Sequence, residues 1–70
     1  MRIKINGESI AIKTESRKMI LAQIVKELGY HPQLIVIEFN GEIIENKSFE
    51  TQEVKNGDSL EIVSIVGGGS

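Results

Sequence analysis

Three consecutive glycines near the end of the chain, Gly67, Gly68 and Gly69, are the residues best suited to take part in chemistry. Glycine costs the most backbone entropy to order, so a run of glycine does not favour a packed element. Because glycine lacks a Cβ, such a tail can pass through a narrow channel and bring a terminal carboxylate to the ATP of another enzyme. We therefore expect residues 67–70 to form a flexible tail that carries the reactive group. The alternative is a frayed terminus or a remnant of cloning.

The other polar residues do not form a catalytic set. The single histidine, His31, lies between Tyr30 and Pro32, and the chain has no cysteine, so neither a second imidazole nor a thiolate is available for a metal. No Ser–His–Asp arrangement and no phosphate-binding glycine motif can be assembled. Glu42 and Glu45 are close in sequence, but a solvated turn explains them better than an acid–base pair. We expect a protein that is not an enzyme and that binds no metal or cofactor itself.

Charge and composition argue against several classes of protein. Eight Lys and Arg are scattered among ten Asp and Glu, whereas nucleic-acid binders need clustered cations. No apolar run approaches the roughly 20 residues of a membrane span, and the first residues lack the apolar core of a signal peptide. We expect a cytoplasmic protein whose acidic surface favours docking to a basic partner, mainly through the association rate.

Two Asn-Gly pairs predict β-hairpins, because both residues tolerate the positive φ that a type I′ turn requires. Each pair lies between apolar segments that predict strands. The strands flanking Asn6-Gly7 span residues 2–5 and 9–13, and those flanking Asn40-Gly41 span residues 34–39 and 42–44.

An amphipathic helix is expected between the two hairpins, since an apolar stripe repeats there at helical spacing. Gly29 is placed to end the helix as a C′ glycine, and Pro32 prevents its resumption. Its start is less defined: Thr14 or Ser16 is the expected N-cap, with Glu15 near the positive end of the helix dipole. The stripe consists of Ile20, Leu21, Ile24, Val25 and Leu28.

The last third of the chain predicts a loop followed by a final strand. Residues 45–55 are polar and irregular, with Phe49 and Val54 as anchors to the core. After a turn at residues 56–58, a strand is expected over residues 59–66. Alternation places two sets of side chains on its faces: Leu60, Ile62, Ser64 and Val66 on one, and Glu61, Val63 and Ile65 on the other.

The element order ββαβ(β)β predicts an α+β fold of the ubiquitin-like β-grasp type. A doubly wound sheet is excluded because it needs a helix between successive strands. We expect a mixed sheet of four to five strands with one helix across one face, formed by residues 1–66. The first and last strands are expected to lie parallel in its middle, because the connection between them is long enough for a parallel pair.

The residues then show a resemblance that covers nearly the whole chain. Residues 55–69 resemble the C-terminal signature of the ThiS sulfur-carrier family: a Gly-Asp turn, a Leu-Glu-Ile-Val strand and a terminal Val-Gly-Gly or Val-Gly-Gly-Gly. Residues 36–44 resemble the family's central hairpin, residues 3–8 its opening and residues 24–29 the end of its helix. Met19 and Ile20 depart from it, since the family often has Thr or Ser there.

The resemblance implies a carrier whose catalytic residues belong to its partners. A ThiF-type enzyme would adenylate the terminal glycine with magnesium and ATP, and a cysteine desulfurase would supply the sulfur that converts it to a thiocarboxylate. The thiocarboxylate would then donate sulfur to a ThiG-type thiazole synthase. Either Gly68 or Gly69 is the activated residue.

An exposed apolar patch beside the tail is a candidate docking surface. Val63 and Ile65 are expected to face away from the core in the middle of the uncovered side of the sheet, and Val66 leads into the tail. The alternative is that these side chains only satisfy β propensity.

Ser70 departs from the family pattern, in which glycine is the last residue. A protease could remove Ser70. Alternatively, Gly69 and Ser70 could both be remnants of cloning, or the activity could be lost.

Three further readings stay open: a MoaD-like carrier for molybdopterin synthase, a ubiquitin-like modifier or interaction module, and an engineered scaffold. The long loop over residues 45–55 argues against the last, since idealised designs use short loops.

Overall fold

The fold is built on one five-stranded mixed sheet in the computed structural model, which describes residues 1–65. The elements in chain order are β1 (Arg2–Ile5), β2 (Glu8–Ala11), β3 (Lys18–Ile20), the helix α1 (Leu21–Glu27), β4 (Ile35–Phe39), β5 (Glu42–Ile44), β6 (Glu53–Lys55) and β7 (Ser59–Ser64), with 3-10 helices at Pro32–Leu34 and Asn46–Ser48. The main sheet has the order β2-β1-β7-β4-β5, and β3 and β6 form a separate pair. β1 and β7 are parallel neighbours, with Lys4 opposite Ser59. The predicted β-grasp arrangement is confirmed.

Both predicted hairpins are present with the turn geometry that their Asn-Gly pairs require. The φ angles are 53° at Asn6 and 86° at Gly7, and 49° at Asn40 and 92° at Gly41. Positive φ at both central residues defines the type I′ turn. Local sequence was sufficient here because few other residue pairs adopt this backbone without strain.

The helix ends where it was predicted to end. Gly29 has a φ of 84°, and its N–H donates to the carbonyl oxygen of Lys26 over 3.1 Å. The N–H of Tyr30 donates to the carbonyl oxygen of Val25 over 3.0 Å. This pair of bonds is the Schellman motif, which satisfies the last carbonyls of the helix.

The start of the helix was predicted wrongly. Neither Thr14 nor Ser16 is the N-cap, because α1 begins only at Leu21. The hydroxyl oxygens of Thr14 and Ser16 instead accept local hydrogen bonds from the backbone of Ser16 and Lys18. Residues 18–20, expected within the helix or at its start, form β3 and pair with β6. Glu15 therefore lies outside the first turn of the helix.

Carbonyl oxygens from the following loop satisfy the first N–H groups of the helix, in place of a Ser or Thr cap. The N–H of Leu21 donates to Gln52 over 2.7 Å, and that of Ala22 donates to Phe49 over 2.8 Å. The N–H of Ile20 donates to Oε1 of the Gln23 side chain. Such long-range capping leaves no local sequence signal, which explains the error. Within residues 1–65, no helix is long and apolar enough to cross a membrane.

The segment of residues 45–55 is more regular than predicted, since it contains a 3-10 helix and β6. Its two anchors were predicted correctly: Phe49 is 1% exposed and Val54 is fully buried. Phe49 joins the core that lies between α1 and the main sheet. The segment thus contributes both a core side chain and the caps of the helix.

The hydrophobic core unites the predicted inward faces of the hairpins, the helix and β7. Its buried members are Ile3, Ile5, Ile12, Leu21, Ile24, Val25, Ile35, Ile37, Phe49, Val54, Leu60 and Ile62. The core of the described residues is therefore complete before residue 63.

We expect deletion of residues 67–70 to leave the melting temperature within about 2 °C of that of the intact chain, because the deletion removes none of these core side chains. Thermal unfolding followed by circular dichroism measures this. A fall of several degrees would show that the tail packs against the domain.

Candidate functional site

β7 is the element that leads to the predicted reactive tail, and it lies at the centre of the main sheet. It pairs with β4 over five residue pairs, from Ile35 opposite Ser64 to Phe39 opposite Leu60. The N–H of Ile65 extends this edge by donating to the carbonyl oxygen of Leu34 over 2.9 Å. The predicted site residues Val66, Gly67, Gly68 and Gly69 lie outside the described residues. Their roles stay predictions.

An exposed apolar patch covers part of the sheet face opposite the helix, which we call the outer face. Val63 and Ile65 are 57% and 58% exposed, in agreement with their predicted outward orientation. Val63 lies opposite the half-buried Val36 of β4, and Ile43 of β5 is 69% exposed. Val36, Ile43 and Val63 line a shallow groove of about 370 Å³. A partly apolar groove of this kind, on the strand that precedes the tail in the sequence, is a candidate protein-binding surface.

Two carboxylates lie in the same groove. Glu38 and Glu61 are directly opposite each other on β4 and β7, a placement that destabilises a sheet slightly. Both are exposed, and neither takes part in a salt bridge with a described residue. A partner with a basic group at this position would relieve the repulsion.

Sequence reasoning did not identify Val36, Glu38, Ile43 and Glu61 as neighbours of Val63. The alternation within each strand gave their orientation, but the order of the strands was needed to bring them together. The candidate surface is therefore wider than the predicted Val63, Ile65 and Val66, and it extends across three strands.

Side-chain amides hold β7 near both of its ends. The N–H of Ile62 donates to Oδ1 of Asn6 over 2.7 Å, and Nδ2 of Asn6 donates to the carbonyl oxygen of Ile62 over 3.3 Å. At the start of the strand, the N–H of Ser59 donates to Oδ1 of Asn40 over 2.9 Å, and Nδ2 of Asn40 donates to Asp58. The local sequence identifies these asparagines only as turn residues, so this second role was not predicted.

The remaining polar candidates have structural or solvated roles in residues 1–65. Asp58 is buried, but its carboxylate accepts hydrogen bonds from the N–H of Lys55 and from Asn40. His31 is exposed, and the described residues contain no group of three side chains suited to hold a metal. Glu42 and Glu45 are exposed, and Glu45 forms a salt bridge with Lys47, which is also exposed.

Comparison with known families and sequences identifies relatives over the whole chain. The model of the ThiS family matches residues 3–69. A thiazole synthase from Paramagnetospirillum magneticum is 37% identical over 70 residues, which are all of this chain and 21% of that protein. The chain thus spans about a fifth of this relative. The uncharacterized protein ycf40 of Porphyra purpurea is 31% identical over 67 residues, covering 96% of this chain and 90% of that protein.

Solved structures include proteins of the same fold and size. The crystal structure of the thiamine biosynthesis protein ThiS from Geobacter metallireducens superposes with a TM-score of 0.83 at 25% identity, covering 97% of this chain and 99% of that one. A solution structure of a thiamine biosynthesis protein from the same organism gives a TM-score of 0.79 and covers all of this chain. The likeness therefore includes the complete sheet and helix.

Proposed function

The chain belongs to the ThiS family, and from this premise we propose that it is a sulfur carrier of thiamine biosynthesis whose C-terminal glycine reacts. The main support for the proposal is that the family match extends through the glycine tail to residue 69. In this function Gly68 or Gly69 supplies the carboxylate, and Gly67 belongs to the thin segment that enters the partner's channel.

The proposed chemistry takes place on partner enzymes. A ThiF-type enzyme binds ATP and magnesium, and the glycine carboxylate attacks the α-phosphate to form an acyl adenylate with release of pyrophosphate. A persulfide that originates from a cysteine desulfurase then attacks the acyl adenylate, which releases AMP and forms an acyl disulfide. A thiol cleaves this disulfide, is itself oxidised to a disulfide with the departing sulfur, and releases the thiocarboxylate. Adenylation is needed because a free carboxylate is a poor acyl donor. A ThiG-type thiazole synthase accepts the sulfur.

The structure supports a carrier that docks by its outer face. Val63 lies on β7 and Ile65 directly follows it, and both side chains are exposed. Val66 and the glycine tail come next in the sequence. A partner that covers this apolar patch would hold the domain while the tail reaches the active site. The adjacent Glu38 and Glu61 favour a partner surface with basic groups.

The relatives favour the thiamine branch over a carrier for molybdopterin synthase. One relative is named as a thiazole synthase, and the structural neighbours are named as thiamine biosynthesis proteins. These names support a partnership with thiazole synthase more directly than with any molybdopterin enzyme.

Intact mass spectrometry of the protein isolated from its own cells tests the proposal. We expect a species that ends at Gly68 or Gly69, together with one heavier by the difference between a sulfur and an oxygen atom. The same measurement identifies the reactive residue and shows whether Ser70 is removed. A variant that ends at residue 66 is the control and should show no heavier species.

A single mass that retains Ser70 would contradict the proposal if it persists when the activating enzyme and the desulfurase are both supplied. That result would favour an interaction module without sulfur chemistry.

A further inference from the structure

The two edges of β7 are paired to different lengths. On the β4 side, backbone pairing continues to Ile65. On the β1 side, the paired residues end at Ile5 opposite Leu60, because the chain then enters the Asn6-Gly7 turn. The part of β7 nearest the tail therefore lacks the neighbouring β1 backbone on this side.

The side chain of Asn6 continues the ladder where the backbone of β1 ends. The N–H of Lys4 donates to Asp58 and the N–H of Asn6 donates to Leu60, the regular two-residue steps of a parallel pair. The next step falls at Ile62. There the side-chain amide of Asn6 provides an acceptor at 2.7 Å and a donor at 3.3 Å, as a peptide group would.

We propose that Asn6 is a positioning residue whose side-chain amide holds the β1 edge of the tail-bearing strand at Ile62, beyond the last backbone pair with β1. The inference rests on the proposed function. Val63 is the residue after Ile62, so the same two bonds also hold the docking surface in place. Without them the end of β7 is held on its β4 edge alone, so motion of the strand has to be restricted when the partner binds, and that loss of freedom opposes binding.

Few residues meet both requirements at this position. The backbone of Asn6 has a positive φ of 53°, which glycine, asparagine and aspartate tolerate best. Glycine has no side chain to bridge to β7, and an ionised aspartate can accept from Ile62 but cannot donate to it. Asparagine supplies the backbone conformation, the acceptor and the donor together.

The test is the substitution Asn6→Gly, which keeps the turn and removes both bonds to Ile62. We expect the amide proton of Ile62 to exchange with solvent about tenfold faster or more. In pyrophosphate exchange with a ThiF-type enzyme, we expect KM for the carrier to rise about tenfold and kcat to stay within about twofold, the pattern of lost binding without lost transition-state contacts. The carrier is used in the reactive form that mass spectrometry defines.

The matched control is Asn40→Gly, the same change at the same position of the other type I′ turn. It removes two side-chain bonds at the start of β7, including one to the buried Asp58. If the rise in KM came only from a loss of stability, Asn40→Gly would raise KM at least as much as Asn6→Gly. We expect Asn40→Gly to lower the melting temperature but to leave KM within about twofold of the unsubstituted value.

Equal KM values for Asn6→Gly and the unsubstituted chain would overturn the inference, as would an equal rise in KM for both variants. An unchanged exchange rate at Ile62 would show that Asn6 does not hold the strand. A failure of the proposed function is distinct: the unsubstituted chain would then give no pyrophosphate exchange, while hydrogen exchange at Ile62 would still decide whether Asn6 holds β7.

Discussion

Replacing Val63 with aspartate is expected to raise the Kd for a ThiF-type partner about a hundredfold, or about 3 kcal/mol, because an interface buries a charge only at high cost. Val63 is 57% exposed and lies opposite Val36 in the centre of the outer face. The new carboxylate would also join Glu61 on the same strand face and increase the negative charge there. Isothermal titration calorimetry with the partner enzyme measures the effect.

The fold should tolerate this substitution, since the side chain at position 63 faces away from the core. We expect the melting temperature to change by only a few degrees. The matched control is Tyr30→Asp, which places the same charge at another partly exposed apolar residue, one that follows the helix and is not part of the outer face. Equal weakening by Tyr30→Asp and Val63→Asp would contradict docking through the outer face.

In the proposed function, the docking surface and the tail have to act together. Binding energy from Val63 and Ile65 can bring the tail to a partner's active site only if β7 holds a fixed position within the domain. Its central place in the sheet, between β1 and β4, provides this rigidity. The Asn6 bridge extends the rigidity on the β1 side to Ile62. A β-grasp domain thus suits a carrier because its last strand is paired with a neighbouring strand on both edges.

Sequence alone was sufficient to predict the features that depend on residues adjacent in the chain. The two Asn-Gly turns and the Gly29 helix end were predicted correctly because positive φ restricts the choice of residue. The alternation in residues 59–65 separated the core side chains Leu60 and Ile62 from the exposed Val63 and Ile65. The placement of β1 beside β7 followed from element order and connection length.

Sequence alone did not predict the features that depend on contacts between distant segments of the chain. Lys18–Ile20 was assigned to the helix region, but it forms the strand β3. This strand pairs with β6, which lies some 35 residues further along the chain. The cap of the helix comes from loop carbonyls, which any residue type can supply. The partners of Asn6 and the wider outer face depend likewise on strand order, which periodicity within one strand does not determine.

Truncating Phe49 to alanine is expected to lower the free energy of unfolding by about 3–5 kcal/mol, as large core truncations do. Phe49 is 1% exposed and packs in the core with Leu21 and Ile24. A domain of this size has a total stability of about 4–10 kcal/mol, so the variant should be partly or largely unfolded at 37 °C. Urea unfolding followed by circular dichroism measures the change.

The matched control is Ile43→Ala, which truncates an apolar side chain that is 69% exposed on the outer face. Its effect on the free energy of unfolding should stay within about 0.5 kcal/mol. A loss below about 1 kcal/mol for Phe49→Ala would show that the Phe49 side chain contributes little to the core. The larger loss of stability is expected because the Phe49 side chain fills the core. The carbonyls of Phe49 and Gln52 that cap α1 belong to the backbone, so the substitution keeps them. A sequence segment that looks irregular thereby stabilises the helix and, through the shared core, the strand that presents the tail.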